Sequence, residues 1–300
     1  MLDYKLVHAL AMVVQEGGFE RAAAFLHLTQ SAVSQRVRLL EDQTGQVLLA
    51  RTSPPRPTAA GTRLVKHYRQ VEQLEAGLAE EADFFGSAGY RSLAIGINAD
   101  SLATWFIAAV GPYLELHPVV LDIRVDDQDE THRLLRAGDV AGCISTRATP
   151  VQGCRLTVLG SMPYRLYATP AFARHHFPDG VTPAAVAQAP ALLFNRKDRL
   201  LHRLLDANMG RLADGLPRHY LPSSEKFVDM IAAGLAYGVL PDLQARSLAS
   251  RGRIVDLLPG EMVDVRLFWH CWGVASGALE RLSRALADGA RRMLRPVGKR

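Results

Sequence analysis

The sequence predicts a mixed α/β chain in two unlike parts, a small helical head and a larger body of alternating strands and helices. Three observations predict it. Apolar residues recur at helical spacing through the head, basic charge gathers there, and strand-like and helix-like segments alternate after Leu93. At roughly 150 residues per domain, the 300 residues suit about two domains. Apolar residues make up 48% and charged residues 22%, the balance of an ordinary globular protein.

The net charge is only +5, which excludes a general polycation. Its placing is informative. From Leu28 to Val71 seven basic residues (Arg36, Arg38, Arg51, Arg56, Arg63, Lys66, Arg69) meet two acidic ones, Glu41 and Asp42, and the remainder is near balance. A local basic patch on a balanced protein points to a local anionic partner. Cys143, Cys154 and Cys271 are too few and too scattered for a disulfide framework or a zinc site, and read as buried thiols in a reducing compartment. The N-terminus, MLDYKLVHALAMVVQEGG, lacks the basic head and cleavage site of an export signal. No run approaches the roughly 20 apolar residues of a membrane span. A cytoplasmic protein without membrane contact is the expectation.

Leu6, Leu10, Val13 and Val14 predict a first helix that stops at Gly17-Gly18, where glycine takes the left-handed conformation. Phe19 to Phe25 restarts the pattern with small alanines that allow close approach. After the turn at His27-Leu28, Thr29 has N-cap chemistry, and a third helix runs to Gly45 with Val33, Val37, Leu40 and Leu39 inward. This is a helix-turn-helix, whose second helix meets base edges with its N-terminal residues. Gln30, Ser31, Ser34 and Gln35 are short or amide side chains suited to bases, and Arg36 and Arg38 suit phosphates. The competing reading is a solvated face of a helical bundle.

Val47 to Leu49, then SPPRPT, predict a two-stranded wing around a proline-stiffened turn, with Arg51 and Arg56 flanking DNA. Thr58 caps a long helix from about Ala59 and is also expected among the DNA contacts. Along it Leu64, Tyr68, Val71, Leu74 and Leu78 form an apolar stripe that seeks a partner helix, so self-association is expected; packing against its own head is the alternative.

The run FERAAAFLHLTQSAVSQRVRLLEDQTGQVLLART, followed by PPRPTAAG, resembles the winged helix-turn-helix of LysR-type transcriptional regulators. His27 stands where many helix-turn-helix turns have glycine. The PPRPT wing together with SLATWF is similar to the ArgP/LysG branch of that family, which answers to basic amino acids. The resemblance implies a homodimer or homotetramer on double-stranded promoter DNA. It also implies two α/β lobes like those of type 2 periplasmic binding proteins, with the chain crossing between them near Ser161–Tyr164 and Glu261–Leu267. The expected division is a DNA-binding domain at 1–58, dimerisation helix and hinge at 59–90, and an effector domain at 91–300. Within the last, lobe I takes 91–162 and 267–300, and lobe II takes 163–266.

The body alternates. Leu93–Ile97, Val119–Val125, Val140–Ile144, Leu192–Phe194, His219–Leu221, Tyr237–Leu240 and Val265–Trp272 read as strands. Leu102–Leu116, Asp129–Ala137, Asp198–Met209, Ser224–Ala233 and a segment after Ala278 read as helices, giving a parallel βαβ arrangement. In such sheets ligands sit beyond the carboxyl ends of strands, against helix N-termini. INADSLATW offers Asn98, Asp100 and Ser101; LPSSEKF offers Ser223 and Ser224; Ser145 and Thr146 follow another strand. The expected clamp has Ser101 and Ser224 donating to an effector carboxylate. An acid for a basic side chain would come from Asp198, Glu225, Asp127 or Asp100. Plain helix capping and surface charge are the bland alternatives. Gly238 is expected to allow close packing beside the cleft, and Trp105 to be core.

The runner-up classes are a small-molecule enzyme and a solute-binding protein. The sequence contains no G-x-S-x-G elbow, phosphate loop, H-E-x-x-H or dinucleotide fingerprint. His175-His176 reads as a diverging pair, poor for a metal, and His270 and Cys271 alternate along a strand and so face apart. No catalytic residue, metal or cofactor is expected. A regulator switched by lysine or arginine, altering contact with RNA polymerase, is the expected function.

Overall fold

The structure, a computed structural model, describes residues 2–50, 52–82, 89–126, 131–210, 215–273 and 277–297; the side chains of 76–82 lie outside that description. In the head, α1 (Tyr4–Glu16) begins at Asp3, whose carboxylate accepts from the Lys5 N–H, and stops at Gly17 with φ 67°. After α2 (Phe19–Phe25) the chain turns through His27, at φ 53° the one non-glycine residue with positive φ among the described residues. Then α3 (Gln30–Thr44) starts at Thr29, whose Oγ1 accepts from the Ala32 N–H at 3.2 Å, and ends at Gly45 with φ 64°. Leu6, Leu10, Val13, Val33, Val37 and Leu40 share one buried core. Leu39, expected inward, is 47% exposed. It lies about 100° round the helix from Leu40, off the buried stripe.

The wing pairs β1 (Leu49–Ala50) with β2 (Arg56–Pro57), Leu49 opposite Pro57. Glu41 fastens it to α3: its Oε1 accepts from the N–H groups of Leu48 at 2.7 Å and Leu49 at 3.3 Å. Thr58 Oγ1 donates to the Val47 carbonyl at 2.8 Å and accepts from the Gly61 N–H, opening α4 (Ala59–Ala82). Gly61 is dictated by space: a Cβ there would stand 2.1 Å from the Leu48 carbonyl oxygen. The helix runs through Glu80–Ala82, so within the 59–90 segment expected to hold helix and hinge the helix reaches Ala82; 83–88 lie outside the described residues.

The body is built on one mixed sheet with strand order β4-β3-β5-β11-β6-β9-β7-β8. In chain order β3 (Arg91–Asn98) leads into α5 (Ala99–Ser101), a π-helical segment (Leu102–Phe106) and α6 (Ile107–Leu116). Next come β4 (Val119–Asp126), α7 (Thr131–Ala137) and β5 (Gly142–Ser145). Then follow β6 (Cys154–Ala168), α8 (Pro170–His176), α9 (Pro183–Val186), β7 (Ala191–Leu193), α10 (Leu200–Met209) and β8 (Arg218–Tyr220). The chain closes with α11 (Ser224–Ala232), β9 (Tyr237–Pro241), α12 (Asp242–Ser250), β10 (Val255–Asp256), β11 (Val263–Trp272) and α13 (Gly277–Met293).

The arrangement is not purely parallel. β11 runs antiparallel to both β5 and β6, and β6 runs antiparallel to β9. The 15-residue β6 was not anticipated, because Gly160 and Pro163 break its pattern. It is the spine of the body. Its first two thirds pair with β11, and Tyr164–Tyr167 pair with β9. Where it bends, Gly160 has φ 145° and the register against β11 slips between Leu267 and Phe268. A Cβ at Gly160 would lie 2.7 Å from that of Leu294, so α13's exit holds this bend close. Trp105 is fully buried in the main core, as expected. Gly238 lies against Ile231 and Phe227, each 3.1 Å from where a Cβ would be.

The cysteines are free thiols; Cys143 and Cys271 are buried, and burial pushes the Cys143 thiol up to about 12. Cys154, expected buried, is only half-buried. The His175 and His176 rings do not diverge: they meet edge to face at 4.5 Å, because His176 leans on Phe172 at 4.2 Å.

Candidate functional site

Two surfaces concentrate the candidate residues. On the head, the cap at Thr29 and the buried stripe Val33–Val37–Leu40 fix how α3 is turned. Gln30, Ser31, Gln35 and Arg38 are exposed and Ser34 is half-buried. At about 100° per residue these five fall within one half of the helix circumference. Arg36 falls outside that half, beside the buried stripe, and is half-buried. On the wing Arg56 is exposed, while Arg51 lies outside the described residues. Thr58 spends its hydroxyl on the Val47 carbonyl and the Gly61 N–H, so its visible role is to cap α4.

The stripe on α4 divides. Leu64 and Tyr68 pack into the head core, with Tyr68 stacked on His8 at 5.4 Å and donating to Glu72. Packing against its own head therefore accounts for these two. Val71 is half-buried, Leu74 is 42% exposed, and the Leu78 side chain lies outside the described residues.

The second surface is a cleft of about 820 Å³, part of it open to solvent, at the carboxyl ends of β3, β4, β7 and β9. Asn98, Asp100, Asp198 and Ser224, all expected, line it. Ser101, Ser145, Thr146, Ser223 and Glu225 do not. The Ser101 side chain is buried with no partner for its hydroxyl among the described residues, and Ser145 Oγ accepts from the Arg147 N–H at 3.2 Å. Ser223 is the N-cap of α11 and Glu225 is exposed. Asp127 lies outside the described residues. The helix phase explains the sorting: Asn98 and Asp100 fall on the cleft side of the strand-to-helix turn, and Ser101 rotates into the core.

At the centre of the cleft Asp100 spans the gap. Its Oδ1 accepts from Ser224 Oγ at 2.6 Å and its Oδ2 from Tyr164 Oη at 2.8 Å. Gln244 Nε2 in turn donates to Ser224 Oγ at 3.0 Å. Burial and the Asp100 charge hold the Tyr164 phenol well above its ordinary value, so it remains a donor. Ser224's proton is thus given to Asp100 here, whereas the expected clamp has it donate to an effector carboxylate. Asp198 accepts from the N–H groups of Phe194 and Leu200, shaping the loop that leads into α10.

Several lining residues escaped the sequence reading: Asp126, Phe194, Lys197, Arg199, Arg203, Phe227 and Gln244. A signal existed for some. Asp126 ends β4 and Gln244 lies in the first turn after β9, both beyond strand ends, and the basic run N-R-K-D-R follows β7. The cleft therefore carries both charges, with acids Asp100, Asp126 and Asp198, bases Lys197, Arg199 and Arg203, and apolar Phe194, Leu200, Phe227 and Val239.

A winged helix-turn-helix head on a long helix, joined to an α/β body with a polar cleft, defines a DNA-binding regulator that responds to a small molecule. Residues 4–62 match the family described as bacterial regulatory helix-turn-helix protein, lysR family, and residues 89–291 match the LysR substrate binding domain. The chain belongs to the LysR family of transcriptional regulators. It is 46% identical over 287 residues to the HTH-type transcriptional regulator ArgP of Pseudomonas aeruginosa, covering 95% of each chain. Its fold is similar to the crystal structure of ArgP from Mycobacterium tuberculosis, at TM-score 0.89 and 39% identity over 99% of this chain and 100% of that one. It is also similar to full-length LysG from Corynebacterium glutamicum with bound effector Arg, at TM-score 0.81 and 35% identity over 98% and 100%. Among the described residues no helix is long and apolar enough to cross a membrane.

Proposed function

We propose that the cleft takes a basic amino acid, arginine or lysine, and that its occupancy changes how paired heads sit on promoter DNA. The observation that carries this is the cleft's charge pattern: three carboxylates and three cationic side chains around an apolar middle. A basic amino acid has the complementary pattern, with two positive groups, one carboxylate and a methylene chain between. Lys197, Arg199 and Arg203 suit the carboxylate, and Phe194 and Phe227 suit the methylenes. The similarity to an arginine-bound regulator supports the same ligand class.

On the head, Gln30, Ser31, Ser34, Gln35 and Arg38 face base edges in the major groove, and Arg36 and Arg56 serve phosphates. Pairing uses the free part of the α4 stripe, Val71 and Leu74, in a dimer or tetramer. Closure of the cleft on the ligand acts through unequal affinity for two arrangements of the assembly, and so alters contact with RNA polymerase. Calorimetric titration of the full chain with the twenty amino acids tests the ligand. Heat from arginine or lysine alone supports the reading, and preference for a neutral or acidic amino acid overturns it.

A further inference from the structure

We propose that Asp100 is an exchangeable latch: in the empty cleft it is held by the Ser224 hydroxyl, and the ligand's α-ammonium displaces that hydroxyl and takes its place. This rests on the reading of the cleft as an amino-acid site. The two halves of the latch come from distant parts of the chain. Asp100 lies in the first turn after β3, and Ser224 is the first residue of α11. Tyr164, fully buried on β6, holds the far oxygen of Asp100 from beneath, so the carboxylate is fixed while its near oxygen faces the gap.

The cleft lining beside the latch holds unfilled acceptors. Asn98 Oδ1 and Gln244 Oε1 are buried, line the same cleft and have no partner among the described residues. The orientation of the Gln244 amide follows from the network. Ser224 Oγ gives its proton to Asp100 and must accept from the other side, so it faces the amide nitrogen and leaves the oxygen free. Two unpaired buried acceptors beside a carboxylate leave a seat that lacks donors. An ammonium group brings three N–H donors from one point. A planar guanidinium spreads its donors along an edge, and a carboxylate brings none. The seat therefore takes the ammonium that arginine and lysine share, leaving Asp126 and Asp198 to the side chain.

The exchange gives the ligand a mechanical consequence. Ser224 released from Asp100 frees the start of α11. The contact that the ligand replaces is also the one that tethers α11 to the β3 turn.

The experiment is calorimetry on the full chain with L-arginine, L-lysine and Nα-acetyl-L-arginine, using wild type, Ser224→Ala, Ser224→Thr and Asp100→Asn. The latch predicts that Ser224→Ala, which removes the competitor, binds arginine about tenfold more tightly, about 1.4 kcal/mol. Ser224→Thr keeps the hydroxyl and restores the wild-type value. Asp100→Asn and Nα-acetylation each weaken binding at least about a hundredfold. Weaker binding by Ser224→Ala makes the serine a ligand contact and overturns the latch while the amino-acid reading stands. Full binding of Nα-acetyl-L-arginine overturns the seat. Wild type that binds neither amino acid overturns the reading of the ligand itself. Hydrogen exchange of the empty protein tests the latch without any ligand. Ser224→Ala and Asp100→Asn should speed exchange in α11 to the same extent, with no further gain in the double variant. Additive gains would show that the two residues act separately.

Discussion

Arg69 of α4 donates to the Gly138 carbonyl at 2.7 Å and to the Asp139 carboxylate at 2.8 Å, tying the long helix to the edge of the body. Gly138 itself has φ 79° and sits so close to Lys66 that an added Cβ would lie 2.7 Å from the lysine's own. The contact stands just before β5, a parallel neighbour of β3, whose carboxyl end carries Asn98 and the cleft. One strand layer thus links the cleft to the helix that carries the DNA-binding head.

Replacing Arg69 with Met keeps the stem and removes both hydrogen bonds. The pair is partly exposed, so a loss of about 1 kcal/mol is expected in urea unfolding. The larger expected effect is on coupling: arginine should still bind, while its influence on promoter affinity falls. Undiminished coupling in that variant would remove Arg69 from the path.

Gln30→Ala should cost about 1–3 kcal/mol at the cognate operator and relax preference at one base position, with little change on random duplex. Competition binding against single-base variants of the operator reads this directly. Equal weakening on every sequence would make Gln30 a backbone contact.

Arg56 stands exposed on the wing strand, outside the face of α3. Arg56→Ala should weaken all duplexes alike and reduce the slope of log affinity against log salt by about one. An unchanged slope between low and moderate salt would place the wing off the DNA.

Gly61→Ala puts a methyl group into the Leu48 carbonyl, where 2.1 Å is available. Either α4 or the wing must shift, at a cost of about 1–3 kcal/mol. Thermal unfolding of the variant checks it. Because Leu48 is also held by Glu41, the shift should reach the orientation of α3 and lower DNA affinity as well.

His270 is fully buried, and its Nε2 pairs with the Arg147 carbonyl at 2.9 Å. Burial lowers its pKa from the ordinary 6.5; the carbonyl bond opposes this, and the charges of Arg147 and His132 add to it. The unfolded chain therefore binds the proton more readily. The sign follows: stability from the neutral ring is complete above about 6.5 and is lost as pH falls from there towards the lower folded value. The urea midpoint should drop between pH 7.5 and 5.5, and His270→Gln, which keeps a donor for Arg147, should flatten that drop.

Much of the head was legible residue by residue. Gly17, Thr29, Gly45 and Thr58 are local signals, each acting through its own backbone or a neighbour within a few positions, and each marks a helix end in the structure. The body was legible only where a strand was unbroken. Gly160 and Pro163 hid β6, although they sit in its middle because the strand bends there. The cleft was half legible. The rule that ligands sit beyond strand ends led to Asn98, Asp100 and Ser224, but helix phase sent Ser101 inward, and Ser145 and Thr146 at the end of β5 lie outside the lining. Arg203 lies far along the chain from Asp100, and no local pattern marks it.

The sequence by itself determined the family, the helix-turn-helix and the face it offers, because helical period, capping and local charge are properties of neighbouring residues. Only the tertiary structure decided that Leu64 and Tyr68 belong to the head core and that the Ser224 hydroxyl is spent on Asp100. Those outcomes depend on which side chains meet from distant parts of the chain, 124 residues apart for Ser224 and Asp100, and partners at such separations are chosen by packing.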